Sequence, residues 1–438
     1  EVLVSGEKKC NQAKLLAVSG LIGGLYDFCV STFGWWAEGI STRIMGWGEV
    51  LADKMKVVFK VNTGAAVLGL GYIIGLKYAA IICAGSFTVW FVLIPFISHF
   101  ADGQTLAVGE GITVLLRDMT PEQIFSNYAR HIGIGGIAMA GVIGIIRSSS
   151  IIKQALGLAV SELGGKKKGE GAVERTQRDI SMKFILSGII SILIATFVFF
   201  QFGVLGNLTH TIIATLIVFV ISFLFTTVAA NAIAFVGSNP VSGMTLMTLI
   251  LSSLVLVSAG LSGTSGMMAA MIIGGVVCTA LSMAGGFITD LKIGYWLGTT
   301  PARQEGWKFL GTAVSAATIA GVMMVLNQTY GFVGENALVA PQANAMAAVI
   351  KPLMEGGATP WLLYFAGAAL ALILTMICVP ALAFALGMFI PLDLNTPLLI
   401  GGLVSWYVGT RSKDENVNKA RRERGTLIAS GFIAGGAL

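Results

Sequence analysis

Residues 210–260 read HTIIATLIVFVISFLFTTVAANAIAFVGSNPVSGMTLMTLILSSLVLVSAG, without one Lys, Arg, Asp or Glu. The two apolar runs on either side of the middle are each close to the roughly 20 residues that cross a hydrocarbon layer as a helix. Between them stands Gly237-Ser-Asn-Pro-Val-Ser-Gly-Met-Thr245. Asn239 suits a helix N-cap and Pro240 the first helical position, so the glycines and the proline end one helix and start another. A helix that starts inside a membrane turns free backbone N–H groups toward an anion or carboxylate. Such broken helices are a recurring way to build transport sites. The plain alternative is a turn between two ordinary spans, and the residues alone leave both readings open.

The rest of the chain has the same character. Of its 438 residues 55% are hydrophobic and 11% charged, and the mean hydropathy is +0.83. Soluble domains carry about 25% charged residues, so this chain lacks the polar surface a water-soluble fold requires. The 56 glycines would weaken soluble helices but let membrane helices approach closely. Steps such as Gly71 to Gly75, Gly136 to Ala140 and Ala270 to Gly274 have that spacing. Candidate spans lie near 14–34, 61–76, 79–99, 131–147, 183–205, 210–235, 244–262, 265–288, 308–327, 361–378, 380–392 and 396–410, with another beginning near 425. The expected fold is all-α: a polytopic integral membrane helical bundle with two duplicated halves and broken or re-entrant helices.

The net charge of +6 reads as cytoplasmic loops and not as a nucleic-acid surface. Basic stretches at Lys8–Lys14, Lys166–Lys183, 289–308 and Arg411–Arg424 are placed inside. A weak repeat predicts the halves. Residues 65–90 align with 381–406 at an offset of 316, matching Gly71 with Gly387, Gly85 with Gly401 and Trp90 with Trp406. Shorter matches pair Lys14–Leu16 with Lys308–Leu310 at offset 294, and Gly135 and Gly141 with Gly425 and Gly431 at offset 290. This divides the chain into 1–160, the tail of a first repeat whose partner of 183–290 lies upstream, a basic linker 161–182, and 183–438, a second repeat cut short at its end. The loops give conflicting signs on whether the halves are parallel or inverted. At offset 316 Lys77 meets Asp393. Either they form an ion pair near a pseudo-two-fold axis or, the simpler reading, they reach the membrane surface separately.

No GxxxxGK[ST] phosphate loop and no HExxH occur, and His99, His131 and His210 are scattered. The expectation is therefore a protein that is not an enzyme, uses no cofactor and holds no metal. Its five cysteines form no CxxC pair and read as small apolar fillers. Met244, Met247, Met267, Met268, Met271, Met323 and Met324 could line a soft-metal path, but apolar packing is the simpler account. Pro341 and Gln342 open an apolar run to Ile350 and could start a re-entrant helix or a surface one. Asp27 is one of few acids inside an apolar run. It is either a proton carrier or an interface residue.

Gly237–Thr245 resembles the signature of the oligopeptide transporter family, which includes the yellow stripe-like metal–chelate carriers. Other stretches resemble the family in the same order: Glu1–Glu7, Gly71-Tyr-Ile-Ile-Gly75, Tyr128-Ala-Arg-His-Ile-Gly133, Arg175-Thr-Gln-Arg-Asp179 with Met182-Lys183, Asp290-Leu-Lys-Ile-Gly-Tyr295, Thr300-Pro-Ala-Arg-Gln304, Ala340-Pro-Gln342, Pro380-Ala-Leu-Ala-Phe384, and Glu423-Arg-Gly425 with Ala429-Ser-Gly431. His131 departs from the pattern, which more often has an aromatic residue there. The resemblance implies a secondary carrier, usually proton-coupled, that imports small peptides, modified peptides or metal chelates. It puts the substrate at Asn239, Pro240, Ser242, Gly243, Met244, Thr245, Pro341 and Gln342, and leaves Asp27 as the proton-coupling candidate. Expected partners are the substrate, protons and the lipid bilayer, not nucleic acid, with a homo-oligomer left open, in the plasma (inner) membrane of a prokaryote. An uncoupled permease or channel for small polar solutes is the alternative.

Overall fold

The structure, a computed structural model, describes residues 11–100, 116–147, 174–236, 241–329, 341–355 and 361–436, with 157 and 331–332. In chain order its main helices are α1 Asn11–Phe28, α2 Gly46–Lys54, α3 Ala65–Ile74, α4 Leu76–Phe87, α5 Ile94–Phe100, α6 Pro121–Ile124 and α7 Arg130–Arg147. These are followed by α8 Met182–Phe199, α9 Leu208–Val236, α10 Val241–Ser258, α11 Gly263–Leu297, α12 Pro301–Thr329, α13 Pro341–Glu355, α14 Trp361–Met376, α15 Ala381–Phe389, α16 Leu392–Thr410 and α17 Glu415–Gly436. Wider π-type turns continue α1 to Phe33, α4 to Leu93 and α8 to Leu205. The only strands among the described residues, β1 Gly39–Ser41 and β2 Lys60–Asn62, pair antiparallel.

Among the described residues six helical stretches are long and apolar enough to cross a membrane: Lys14–Phe33, Leu76–Phe100, Arg175–Leu205, Leu208–Thr227, Gly263–Leu297 and Pro301–Thr329. Neither α8 nor α12 buries a single residue. Apolar faces of that extent are untenable in water and ordinary against lipid tails. The fold is an all-α polytopic membrane bundle.

The contacts divide the chain into two compact units, one of residues 1–140 and 360–438, the other of 141–359. The first is organised by glycines that bring backbones together. A side chain at Gly71 on α3 would strike the Leu398 carbonyl on α16, and one at Gly387 on α15 would strike the Ile82 carbonyl on α4. Likewise a side chain at Gly85 would meet the Phe384 carbonyl, and one at Gly401 the Leu68 carbonyl. Each second contact is the first with 316 added to one residue and subtracted from the other.

The same exchange relates Gly402 against Ala79, 3.1 Å from a Cβ built on the glycine, to the hydrogen bond from Asn395 Nδ2 to Ser86 Oγ, 2.7 Å. α4 and α16 therefore run antiparallel, and one rotation about an axis across them carries each onto the other. Gly75, at φ 80°, breaks α3 from α4, a backbone conformation that glycine takes without strain. The corresponding break, at Ile390–Pro391, falls slightly before the expected gap at 393–395. Asn395 secures it by donating to the Gly387 and Ile390 carbonyls at 3.1 and 3.2 Å, which α15 leaves free at its end.

The outer helices follow the same exchange at other offsets. Gly23 on α1 lies against Phe432 on α17, and Gly367 on α14 against Ile132 on α7. Gly435 on α17 meets Gly20 on α1, and Gly135 on α7 meets Tyr364 on α14. Gly135 is thus equivalent to Gly435, an offset of 300, and α14 occupies the place equivalent to α1. The offsets 290 and 294 do not recur in the packing. α1 and α17 run parallel, with Gly20 against Gly431 and Gly24 against Gly435, which brings Lys14 and Arg421, Arg422 and Arg424 to one end. Lys77 and Asp393 fall on opposite sides of the α4–α16 crossing, and neither forms an ion pair among the described residues.

Residues 34–64 leave the bundle after α1 and return at α3. Trp35, Trp36, Trp47, Ile44 and Met45 are exposed there, and Phe33 stacks on Trp35 at 5.5 Å. Aromatic residues at the end of a span are typical of the membrane–water boundary.

The glycine contacts make a direct prediction. Gly387→Leu should destabilise the detergent-purified protein by on the order of 1–3 kcal/mol through overpacking, seen as a lower thermal midpoint. Gly188, with nothing within 4 Å of its Cβ position, is the control. Gly188→Ala should raise stability by roughly 0.5–1 kcal/mol.

Candidate functional site

The second unit is built on α9, α10 and α11, against which α13 packs. α10 runs to Ser258, turns at 259–262 and returns as α11, with Leu249 seated against Gly274. His210 Nε2 donates to the Ala259 carbonyl at 3.1 Å and ties the start of α9 to this turn. Met354 on α13 lies by Gly266, its sulfur 3.0 Å from a Cβ built there. Ile350 and Met354 share a core with Leu249, Leu256, Ala269, Ala270 and Ile273. α13 therefore runs beside α10 in the same direction, and both helix starts fall at the end away from the 259–262 turn.

Those starts are the two breaks singled out in the sequence. Asn239 and Pro240 lie outside the described residues. α10 begins at Val241, so Ser242 and Gly243 are in its first turn, followed by buried Met244 and Thr245. α13 begins at Pro341 with Gln342 next, and proline at a first helical position leaves no backbone hydrogen bond unmade. No local pattern places α10 and α13 side by side; the structure brings them together within one unit.

Among the described residues of this unit, the buried polar residues are Thr and Ser. Thr211, Thr245, Thr248, Ser252 and Ser253 are buried. Thr211, Thr248 and Ser252 donate to carbonyls of their own helices at 2.9–3.1 Å, while the buried oxygens of Ser222 and Ser253 have no partner among the described residues. No Asp, Glu, Lys or Arg lies on α9 or α10. The hydroxyls can exchange hydrogen bonds but carry no formal charge. This hydroxyl stripe was legible as spacing in α10, where Thr245, Thr248 and Ser252 fall on one face; it went unread because each residue alone is ordinary.

Asp27 belongs to the first unit. Its Oδ1 accepts from the Ala65 N–H at 3.1 Å, the first residue of α3, so the carboxylate caps that helix from a neighbouring one and complements the positive end of its dipole.

Three stretches quoted from the sequence converge at one edge of the second unit. Arg175 donates to the Gly298 carbonyl at 2.8 Å and to Thr300 Oγ1 at 3.2 Å. The Ala302 N–H donates to the Arg178 carbonyl at 3.0 Å, and Gln304 Nε2 to the Asp290 carbonyl at 3.1 Å. Lys308 pairs with Asp290. These bonds explain why the Arg-Thr-Gln-Arg and Thr-Pro-Ala-Arg-Gln stretches stand out together: they hold one another in place.

In the first unit Glu122 joins residues 34–64 to the start of the α6–α7 segment, pairing with Lys60 at 2.7 Å and Arg43 at 2.8 Å. Burial alone would raise its carboxyl. The hydrogen bond from Lys60 and the charges of Lys60 and Arg43 outweigh that and hold it below the usual carboxylate range.

Long apolar helices, two of which start side by side near buried hydroxyls, have the architecture of a membrane transporter. The comparisons agree. The profile of the OPT oligopeptide transporter family matches residues 1–438. A Haemophilus influenzae protein provisionally named as an oligopeptide transporter is 26% identical over 480 aligned positions, which cover 97% of this chain and 71% of that one. The chain belongs to the OPT oligopeptide transporter family.

The Glu122 pair yields a pH prediction. Because the folded carboxyl is held low, its contribution to stability is present above the unfolded range, near about pH 4.3. It is lost as the pH falls through the lower folded value. Between roughly pH 6 and roughly pH 3 the thermal midpoint of the wild type should therefore fall further than that of Glu122→Gln. Equal falls would show that the pair contributes nothing.

Proposed function

We propose that this protein is a secondary active transporter that imports small peptides or peptide-like metal chelates in exchange for the energy of a proton gradient, in the plasma membrane of a prokaryote. The observation that carries the reading is the placement of two helix starts, those of α10 and α13, at the same end of one unit beside a hydroxyl-lined interior. A peptide's carboxylate and amides match such a surface: the carboxylate meets the helix-start N–H groups, and the amides exchange hydrogen bonds with Thr and Ser hydroxyls. In this reading Asn239, Pro240, Ser242, Gly243, Met244, Thr245, Pro341 and Gln342 bind substrate.

Asp27 is the proton-coupling residue of this reading. As a carboxylate it accepts from Ala65 at the start of the broken helix α3. Protonation would weaken that acceptor and loosen the helix start. The matched contacts of α3–α4 and α15–α16 support an origin by duplication, with 1–160 and 183–438 as the two repeats and 161–182 between them. The inverted relation at the α4–α16 crossing supports alternating access.

An uncoupled permease or channel is the second reading, favoured by the lack of Asp, Glu, Lys and Arg on α9 and α10. Uptake of trialanine and of an iron–peptide chelate into proteoliposomes, with and without a protonophore, separates the two. The coupled reading expects accumulation above the external concentration that the protonophore abolishes; an uncoupled path expects equilibration indifferent to it. Asn239→Ala should lower uptake about tenfold, a loss of 1.4 kcal/mol, without reducing the yield of folded protein. Asp27→Asn should spare binding and remove proton-driven accumulation. Unchanged proton dependence would exclude Asp27 from coupling.

A further inference from the structure

The α7–α14 crossing of the first unit holds a titratable group that the transport reading leaves unused. The two helices meet backbone to backbone: a side chain at Gly135 would strike the Tyr364 carbonyl, and one at Gly367 the Ile132 carbonyl. Between these contacts His131 on α7 faces Tyr364 on α14, edge to face, with ring centroids 5.6 Å apart. His131 is 8% exposed and Tyr364 9%. Neither Nδ1 of His131 nor the hydroxyl of Tyr364 has a hydrogen-bond partner among the described residues. Leaving two such atoms buried and unbonded is unfavourable, and packing alone gives no reason to keep them.

The surroundings decide what the imidazole can do. On its own helix the preceding residue is Arg130, whose guanidinium lies 4.7 Å from the Phe389 ring and 6.0 Å from the Phe125 ring. α15 brings the backbone of Met388 and Phe389 against Gly133, without charge. α14 presents Tyr364, itself edge-on to Trp361 at 6.2 Å. No ion pair to His131 exists among the described residues. A neutral imidazole carries one donor and one acceptor; a protonated one carries two donors and a positive charge. Placed beside Arg130, that charge is met from α14 and α15 only by a phenol and by apolar groups. It is accommodated when the crossing parts and water, or an anionic group, reaches the ring.

We propose that His131, set across the α7–α14 crossing from Tyr364, is a proton-binding site of the transport cycle. A proton taken from water onto a ring nitrogen parts the crossing, and its return to water lets the glycine contacts close. This rests on the proton-coupled reading above and adds to it a second group, distinct from Asp27, that changes charge during the cycle.

Two measurements on the full chain test it. The first is the external-pH profile of trialanine uptake in proteoliposomes. On the alkaline side the His131 proton should contribute roughly a tenfold fall in wild-type uptake per pH unit, the slope for one required proton. His131→Gln, which keeps a hydrogen-bonding side chain but cannot titrate, should flatten that limb while still binding trialanine. The second needs no substrate: NMR of the protein labelled with 15N-histidine. With three histidines in the chain, the His131 signals are those missing in His131→Gln. They should titrate between roughly pH 4 and 8, with a midpoint displaced in Tyr364→Phe. An unchanged alkaline limb in His131→Gln overturns the proposal. So do His131 signals that stay neutral throughout, in wild type and Tyr364→Phe alike. If wild-type proteoliposomes take up no trialanine at any pH, the peptide reading fails, and the His131 titration alone decides the proton site.

Discussion

The first unit depends on backbone-to-backbone contact at Gly71, Gly85, Gly387 and Gly401. Lipid tails are as apolar as leucine side chains, so membrane helices gain little from hiding apolar surface from one another and associate through close packing. These four glycines set how closely α3, α4, α15 and α16 approach. That closeness permits short helices: α3 and α15 are too short to span alone, but each is held against the longer partner from the other half. It also fixes the break points. Gly75 turns the chain between α3 and α4, and Asn395 satisfies the carbonyls that α15 leaves open before α16 begins. The breaks are thus consequences of the crossing.

The two units divide the chemistry. The first concentrates charge at helix ends, with Asp27 at the start of α3 and Glu122 held by Arg43 and Lys60. The second gathers Arg175, Asp290 and Lys308 at one edge, and the polar residues it buries, among those described, are Thr and Ser.

Much of this was readable in the sequence, for physical reasons. Uncharged runs such as 210–236 mark spans because a charge in the hydrocarbon layer is costly. The 316 offset was readable because the matched glycines are the crossing itself. Matches of two glycines at 290 and three residues at 294 do not recur in the packing, since apolar runs align by chance and only packing chooses among them. The strands 39–41 and 60–62 were missed because three residues show no period. The Arg175 network and the His131–Tyr364 pair join residues far apart in the chain, which no local pattern specifies. His131 had drawn notice only as a departure from an aromatic residue; its facing tyrosine and its burial appear only in three dimensions.

The antiparallel crossing of α4 and α16 is the central claim, and a distance between Lys77 and Asp393 tests it most directly. With the other cysteines replaced, spin labels at Lys77→Cys and Asp393→Cys report on two positions that are equivalent under the internal two-fold. In the register set by Ala79 with Gly402 and Ser86 with Asn395, these positions are separated along the helix axes by about 16 Å, at 1.5 Å per residue. Halves related in parallel would put them at one level, with only the interaxial spacing of about 8–10 Å between them. A backbone separation near 18 Å, after allowance for the label arms, is the predicted result; one near 10 Å would contradict the inverted crossing.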